Sequence, residues 1–142
     1  MKILFDTNVI IDVLLDRKPF SNDAAFLLSL VERSEIIGFV CATTITTIYY
    51  LISKSLGSQA ASRHIQTLLA LFVIAPVNRV VLEGAVKSKF KDFEDAVLHE
   101  SAIHTGAEYI VTRNISDFKQ SKLPTFSPAD LMSTLELLNK RR

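Results

Sequence analysis

Apolar positions along this chain come in two rhythms. Met1-Lys2-Ile3-Leu4-Phe5 is a short apolar run, long enough for one buried strand. Asp6, Thr7 and Asn8 follow, residues that favour helix starts, and Val9 to Leu15 then reads as a helix leaving the sheet. A second helix starts at Ser21 or Asn22, with Ala24, Leu27, Leu28 and Val31 on one face. Phe39 to Ala42 reads as a second strand. The β-branched run Thr43 to Lys54 has strand propensity, but it is too long for one strand and no turn precedes it. The reading is therefore a helix capped by Thr43 or Thr44 and ended by Gly57.

The alternation continues. A helix from Ser58 carries Ile65, Leu68 and Leu69, and Phe72-Val73-Ile74 forms a third strand. Short and longer helices follow at Asn78 to Ser88 and Phe93 to Thr105, the latter stopped by Gly106. Glu108 to Thr112 is a fourth strand and Lys122 to Phe126 a fifth. Ser127-Pro128-Ala129-Asp130 has the signature of a helix start, and Leu131, Leu135 and Leu138 line that last helix. Strands alternating with helices predict an α/β/α sandwich around a mainly parallel sheet. Nothing breaks the pattern, so residues 1–142 are expected to form a single domain.

Composition narrows the function. With 49% hydrophobic residues a sizeable core is available. The one cysteine, Cys41, lies in an apolar run and reads as core, which excludes a disulfide framework within the chain and makes a cysteine zinc site implausible. No signal-peptide pattern is present at the N-terminus, and Leu68 to Val77 is too short to span a bilayer, so a cytoplasmic, membrane-free protein is expected. The net charge of +1 is not that of a dedicated nucleic-acid binder. Local basic runs stand out nonetheless: Lys87, Lys89 and Lys91; Arg113, Lys119 and Lys122; and Lys140 to Arg142. Solvated faces are the plain explanation of each.

The acids carry more information. Asp6 follows the first strand, and ligands of open α/β sheets bind at carboxyl ends of strands. Asp92 and Asp95 open a helix three residues apart and can share a face, while Asn114 and Asp117 lie in the loop after Thr112. Carboxylates gathered from distant positions repel unless a cation compensates, and hard oxygen donors suit Mg²⁺ or Mn²⁺. Each has a simpler reading: Asp6 and Asp92 as helix caps, Asp95 as a first-turn acid, Asp117 as a turn residue. Glu94 reads as surface, and Asp12 as exposed or standing behind the site. His64, His99 and His104 lack metal-pair spacing, and no Gly-rich phosphate loop or nucleophile elbow occurs. A receiver domain would need paired acids after the first strand and an Asp after a middle strand, and neither is there.

Three segments, Phe5-Asp6-Thr7-Asn8-Val9-Ile10-Ile11-Asp12, Asp92-Phe93-Glu94-Asp95-Ala96 and Tyr109 to Phe118, together resemble a PIN-domain protein of the VapC toxin type. The resemblance implies a Mg²⁺- or Mn²⁺-dependent ribonuclease, an RNA substrate, a cognate antitoxin and a homodimer. It makes Asp6 the first and Asp95 the central metal ligand, with Thr7 or Asn8 and Thr112 in support. Two positions depart from that pattern: Thr47 stands where an acid is frequent, and Asn114 replaces an aspartate in Thr112-Arg113-Asn114. Asp117 is then the candidate for the missing carboxylate, Asn114 an assisting ligand, Asp92 a supporting acid, and Arg113 and Lys119 phosphate contacts. The rival expectation is a PIN-like module, weakened in catalysis, that binds RNA or protein.

Overall fold

A computed structural model of the protein describes residues 1–140; Arg141 and Arg142 of the terminal basic run lie outside the described residues. In chain order the elements are β1 (Lys2–Phe5), α1 (Thr7–Leu14), α2 (Ser21–Glu32), β2 (Ile37–Cys41), α3 (Ala42–Leu56), α4 (Ser58–Leu71) and β3 (Val73–Ala75). They continue with α5 (Arg79–Lys87), α6 (Phe93–Thr105), β4 (Tyr109–Val111), a single 3₁₀ turn (Ile115–Phe118), β5 (Thr125–Phe126) and α7 (Pro128–Lys140).

The strands form one sheet in the order β3-β2-β1-β4-β5, and every pairing is parallel. Both faces are covered, because alternate residues of each strand point to opposite sides. Ile3, Phe5 and Val40 pack beneath a layer that includes Val9, Leu27, Ile48, Leu68 and Leu131. Leu4, Phe39 and Cys41 pack on the other face against Val81, Ala85, Val97 and Ala102. The result is an α/β/α sandwich in which Cys41 is a buried core residue. Phe72 lies so close over β2 that a Cβ on Gly38 would come within 2.6 Å of its ring.

Several boundaries differ from the sequence reading, each for a local reason. α2 and α3 start without any side-chain cap bond, so neither Ser21 or Asn22 nor Thr43 or Thr44 serves as the expected cap. Cys41 turns directly into the helix, and Thr46 and Thr47 spend their hydroxyls on the Thr43 carbonyl. The fifth strand shrinks to two residues because Ser121 ties up both the amide and the carbonyl of Leu123. The caps at Asp92 and Ser127 and the positive-φ glycines 57 and 106 are where the sequence puts them, and Asn78, read as the first residue of its helix, is its cap.

Topology places the site. From β1 the chain winds outward through β2 to β3, then returns to lay β4 on the opposite side of β1. The strand order reverses between β1 and β4, and a crevice opens there beyond their carboxyl ends. Phe5 pairs with Val111 across that boundary, so the next residues, Asp6 and Thr112, emerge side by side.

Candidate metal centre

Asp6 is both the cap of α1 and the floor of the crevice. Its Oδ1 accepts a hydrogen bond from the Thr7 amide at 2.8 Å. Its Oδ2 accepts from the Thr112 hydroxyl at 2.7 Å and from the Asn8 amide group at 3.3 Å. Asp6 is thus a helix cap whose carboxylate also lines the crevice. Burial pushes the Asp6 carboxyl above its ordinary range, the Thr112 and Thr7 hydrogen bonds oppose this, and Asp117 and Asp92 add to the rise. Thr112 also accepts from the Asn114 amide at 3.0 Å, which sets the start of the following loop. Thr7 is held in turn by a hydroxyl contact with Thr44 at 2.9 Å.

The second wall is the start of α6. Asp92 caps that helix by accepting from the Asp95 amide at 3.0 Å, so it too is a cap standing at the site. Asp95 is half-buried, and its carboxyl is pushed up to about 7 by desolvation, then by Asp6, Asp92, Asp117 and Glu94 in decreasing order. The third wall is the loop after β4, where Asn114 and the 3₁₀ turn bring Asp117 to the rim. Asp6, Thr7, Asn8, Asp92, Asp95, Asn114 and Asp117 all line one depression of about 320 Å³. Thr47 lines it as well, so the position lacking an acid does face the site. Glu94 is exposed as expected, yet it sits on the same rim and contributes to the repulsion on Asp95. Its one-residue offset from Asp95 on the helix concealed that.

Of the two positions expected for Asp12, exposed or standing behind the site, the structure excludes the first: it is fully buried and pairs with Arg17 at 2.9 Å and with Arg113 through Nε and, at 3.2 Å, Nη2. Arg113, expected at a phosphate, is committed to that two-pronged pair and lies over the Phe20 ring at 4.0 Å. The pair anchors the β4 loop to α1, because a forked guanidinium matches a carboxylate in one orientation. Arg17, which the sequence did not single out, is the basic residue bordering the depression. The only signal for it was proximity in sequence to Asp12, which does not distinguish a paired arginine from a solvated one.

His99 has a structural part. Its Nε2 accepts from the Lys122 amide at 3.0 Å, its ring lies 4.7 Å from that of Phe90, and its Nδ1 is buried with no partner. Burial lowers its pKa, so it stays neutral.

The donor set suits a hard divalent cation. Among the described residues no three His, Cys, Asp or Glu side chains form a ready-made chelate. Mg²⁺ does not require one: it keeps several waters and takes one or two carboxylates. What the site offers is a group of facing carboxylates whose repulsion, together with burial, lifts the Asp95 carboxyl to about 7.

A fold of this topology with acids at the β1/β4 crevice defines a class, and the PIN domain family model matches residues 2–116. The chain belongs to the PIN domain family. It is 24% identical over 120 residues to Ribonuclease VapC1 of Aquifex aeolicus, covering 81% of this chain and 83% of that one. In fold it is similar to a toxin-antitoxin complex from Klebsiella pneumoniae, with a TM-score of 0.67, 24% identity and coverage of 89% of this chain and 97% of that one. FitAcB from Neisseria gonorrhoeae gives a TM-score of 0.67, 21% identity and coverage of 89% and 98%.

Proposed function

We propose that the protein is a metal-dependent endoribonuclease, the toxin of a toxin–antitoxin pair, working as one domain in the cytoplasm. The observation that carries this is the convergence of Asp6, Asp95 and Asp117 in the switch-point crevice, with Asp95 raised to about 7 by burial and by its acidic neighbours. The likeness to a ribonuclease named VapC1 and to a toxin-antitoxin complex supports the nuclease and partner readings. Asp6 and Asp95 would hold Mg²⁺ or Mn²⁺, with Asp117 and Asn114 completing the protein's share and Asp92 adding negative potential. Such an ion, when bound, supplies an acidified water and charge stabilisation for phosphodiester hydrolysis.

The chain's own residues then have distinct tasks. Thr112 spends its hydroxyl proton on Asp6 Oδ2 and so fixes which face of that carboxylate turns to the crevice. The Thr7 backbone amide and the Asn8 side-chain amide hold the same carboxylate from the α1 side. Ile11, Leu51 and Leu98 are the apolar side chains lining the depression beside the acids. Arg17 and Lys119 stand at the rim within the surroundings of a bound phosphate, while Arg113 acts by holding Asp12 and the loop. A homodimer and a cognate antitoxin belong to the same proposal. Among the described residues no helix is long and apolar enough to cross a membrane.

The test is RNA cleavage by nuclease-free preparations with Mg²⁺, Mn²⁺ or EDTA. Asp6→Asn should abolish cleavage while circular dichroism shows an intact fold; a folded Asp6→Asn protein that cleaves as fast as the parent would refute the assignment. Thr47, neutral where the family often has an acid, favours a second reading: a binding module without catalysis. A Mn²⁺ titration decides between them, since only a catalytic centre needs binding that is lost in Asp95→Asn.

A further inference from the structure

The acid crevice does not end at Asp95 and Asp117. It opens into a second hollow lined by Lys89, Phe90, Asp92, Asp95, Asp117 and Lys119. That hollow in turn shares Lys89, Phe90 and Gln120 with a third, which reaches Lys87, Lys122, His99 and Glu100. The shared residues make a single groove leading from the acids, with volumes of about 280 and 430 Å³ in its two outer parts. Lys87, Lys89, Lys119 and Lys122 are exposed along it, facing one carboxylate, Glu100, in the outer part. Among the described residues none of these four lysines is ion-paired. In a chain whose net charge is only +1, the outer part carries a basic excess, Lys87, Lys89 and Lys122 against Glu100, while the inner part sets lysines beside Asp92, Asp95 and Asp117.

The floor of the groove is built. Phe90 packs on the buried His99 and edge-on against Phe118 at 5.7 Å. The same His99 accepts the Lys122 amide, so the backbone that carries Lys122 is pinned to α6.

We propose that this groove is the track for single-stranded RNA flanking the cleaved phosphate, with Lys87, Lys89, Lys119 and Lys122 holding successive phosphates. The proposal rests on the ribonuclease reading above. Lysines are point charges that hold phosphates without reading sequence. Hollows of this size take one strand, while a duplex needs a broad surface that follows its minor groove. An acidic protein segment laid on the same lysines would run into Asp92, Glu94, Asp95 and Asp117. RNA would meet those acids across the divalent cation that Asp6 and Asp95 would hold.

The experiment measures binding apart from cleavage. Asp95→Asn protein in EDTA is titrated with a labelled, unstructured RNA strand of about 15 nucleotides, a length that spans more than one basic contact, and anisotropy is read across a salt series. Adding Lys87→Ala, Lys89→Ala and Lys122→Ala should weaken binding at least about tenfold at low salt. It should also flatten the log–log salt slope by about 2, since each single-strand phosphate contact contributes about 0.7. Lys54→Ala with Arg63→Ala, exposed on α3 and α4, is the control and should change neither. In the otherwise native chain the triple variant should raise KM for a long RNA and leave kcat alone. An unchanged affinity and slope, an equal loss in the control, or a loss seen only for a protein partner would overturn the track. Cleavage absent from the native chain with the slope change present would defeat the ribonuclease reading and leave the track standing; cleavage present with no slope change would do the reverse.

Discussion

Asp95→Asn should make the metal-free protein more stable, although it removes a residue from the heart of the site. Burial and four neighbouring carboxylates lift the Asp95 carboxyl from 3.8 to about 7 in the folded chain. A raised carboxyl pKa means the charged form is disfavoured by folding. The penalty is absent below the unfolded value near 3.8, accumulates as pH rises, and is complete above about 7. Taken at face value the interval is worth about 4 kcal/mol. Asp95 is only half-buried, so solvent screening cuts this to about 2 kcal/mol. Losing a first-turn acid from α6 returns about 0.5 kcal/mol to the other side. A net gain of about 1–1.5 kcal/mol remains, which corresponds to about 2–6 °C in Tm for a domain of this size. The assay is a thermal melt in EDTA at several pH values. The variant's advantage should be clear above pH 7 and fade toward pH 4. Saturating Mg²⁺ should shrink or reverse it, because the ion stabilises only a native site that binds it. A variant that melts at or below the parent temperature in EDTA above pH 7 would refute the claim that burial and repulsion together penalise this carboxylate.

Other outcomes follow from the same contacts. Arg113→Ala leaves Asp12 buried with only Arg17 and should cost about 3–5 kcal/mol in a denaturant titration, the size seen when one partner of a buried pair is removed; Arg113→Lys should recover only part, since it lacks the fork. Thr112→Val deletes the donor to Asp6 Oδ2 and should weaken Mn²⁺ binding by about 10–100-fold in calorimetry, with Thr112→Ser close to the parent. Gly38→Ala drives a methyl into the Phe72 ring and should destabilise by about 1–3 kcal/mol; a neutral result would mean that Phe72 yields freely. Thr47→Asp adds a carboxylate to the crevice and should tighten Mn²⁺ binding while lowering the apo Tm, read on the same protein with and without the ion.

Much of the frame was legible from local pattern. The alternation of apolar runs and helical faces anticipates five strands, the helices between them and a parallel sheet. The caps at Asp92 and Ser127 and the stops at Gly57 and Gly106 fall where their chemistry requires. These features depend on neighbours a few residues away, and a sequence displays such neighbours directly. Strand ends were less legible: β5 loses its first residues to hydrogen bonds made by Ser121, which outcompete ladder pairing next to Pro124.

The candidate site divides along the same line. Asp6 and Asp95 could be proposed from strand-end and helix-start positions alone. That Thr112 bonds Asp6 across 106 residues, and Arg113 bonds Asp12 across 101, depends on β4 returning to the far side of β1. Asp12 and Arg113 show the difference most plainly. By residue type they read as an acid either exposed or behind the site and a free phosphate ligand. The fold buries one, spends the other on it, and thereby fixes the loop that carries Asn114. Charge and burial are properties of what surrounds a group, so the raised carboxyl of Asp95 and the unpaired lysines of the groove exist only once the chain has closed around them. The sequence by itself determined which elements form and which acids stand at their ends; the tertiary structure alone decided which of those charges meet, because Coulomb and desolvation energies depend on distance in space and not along the chain.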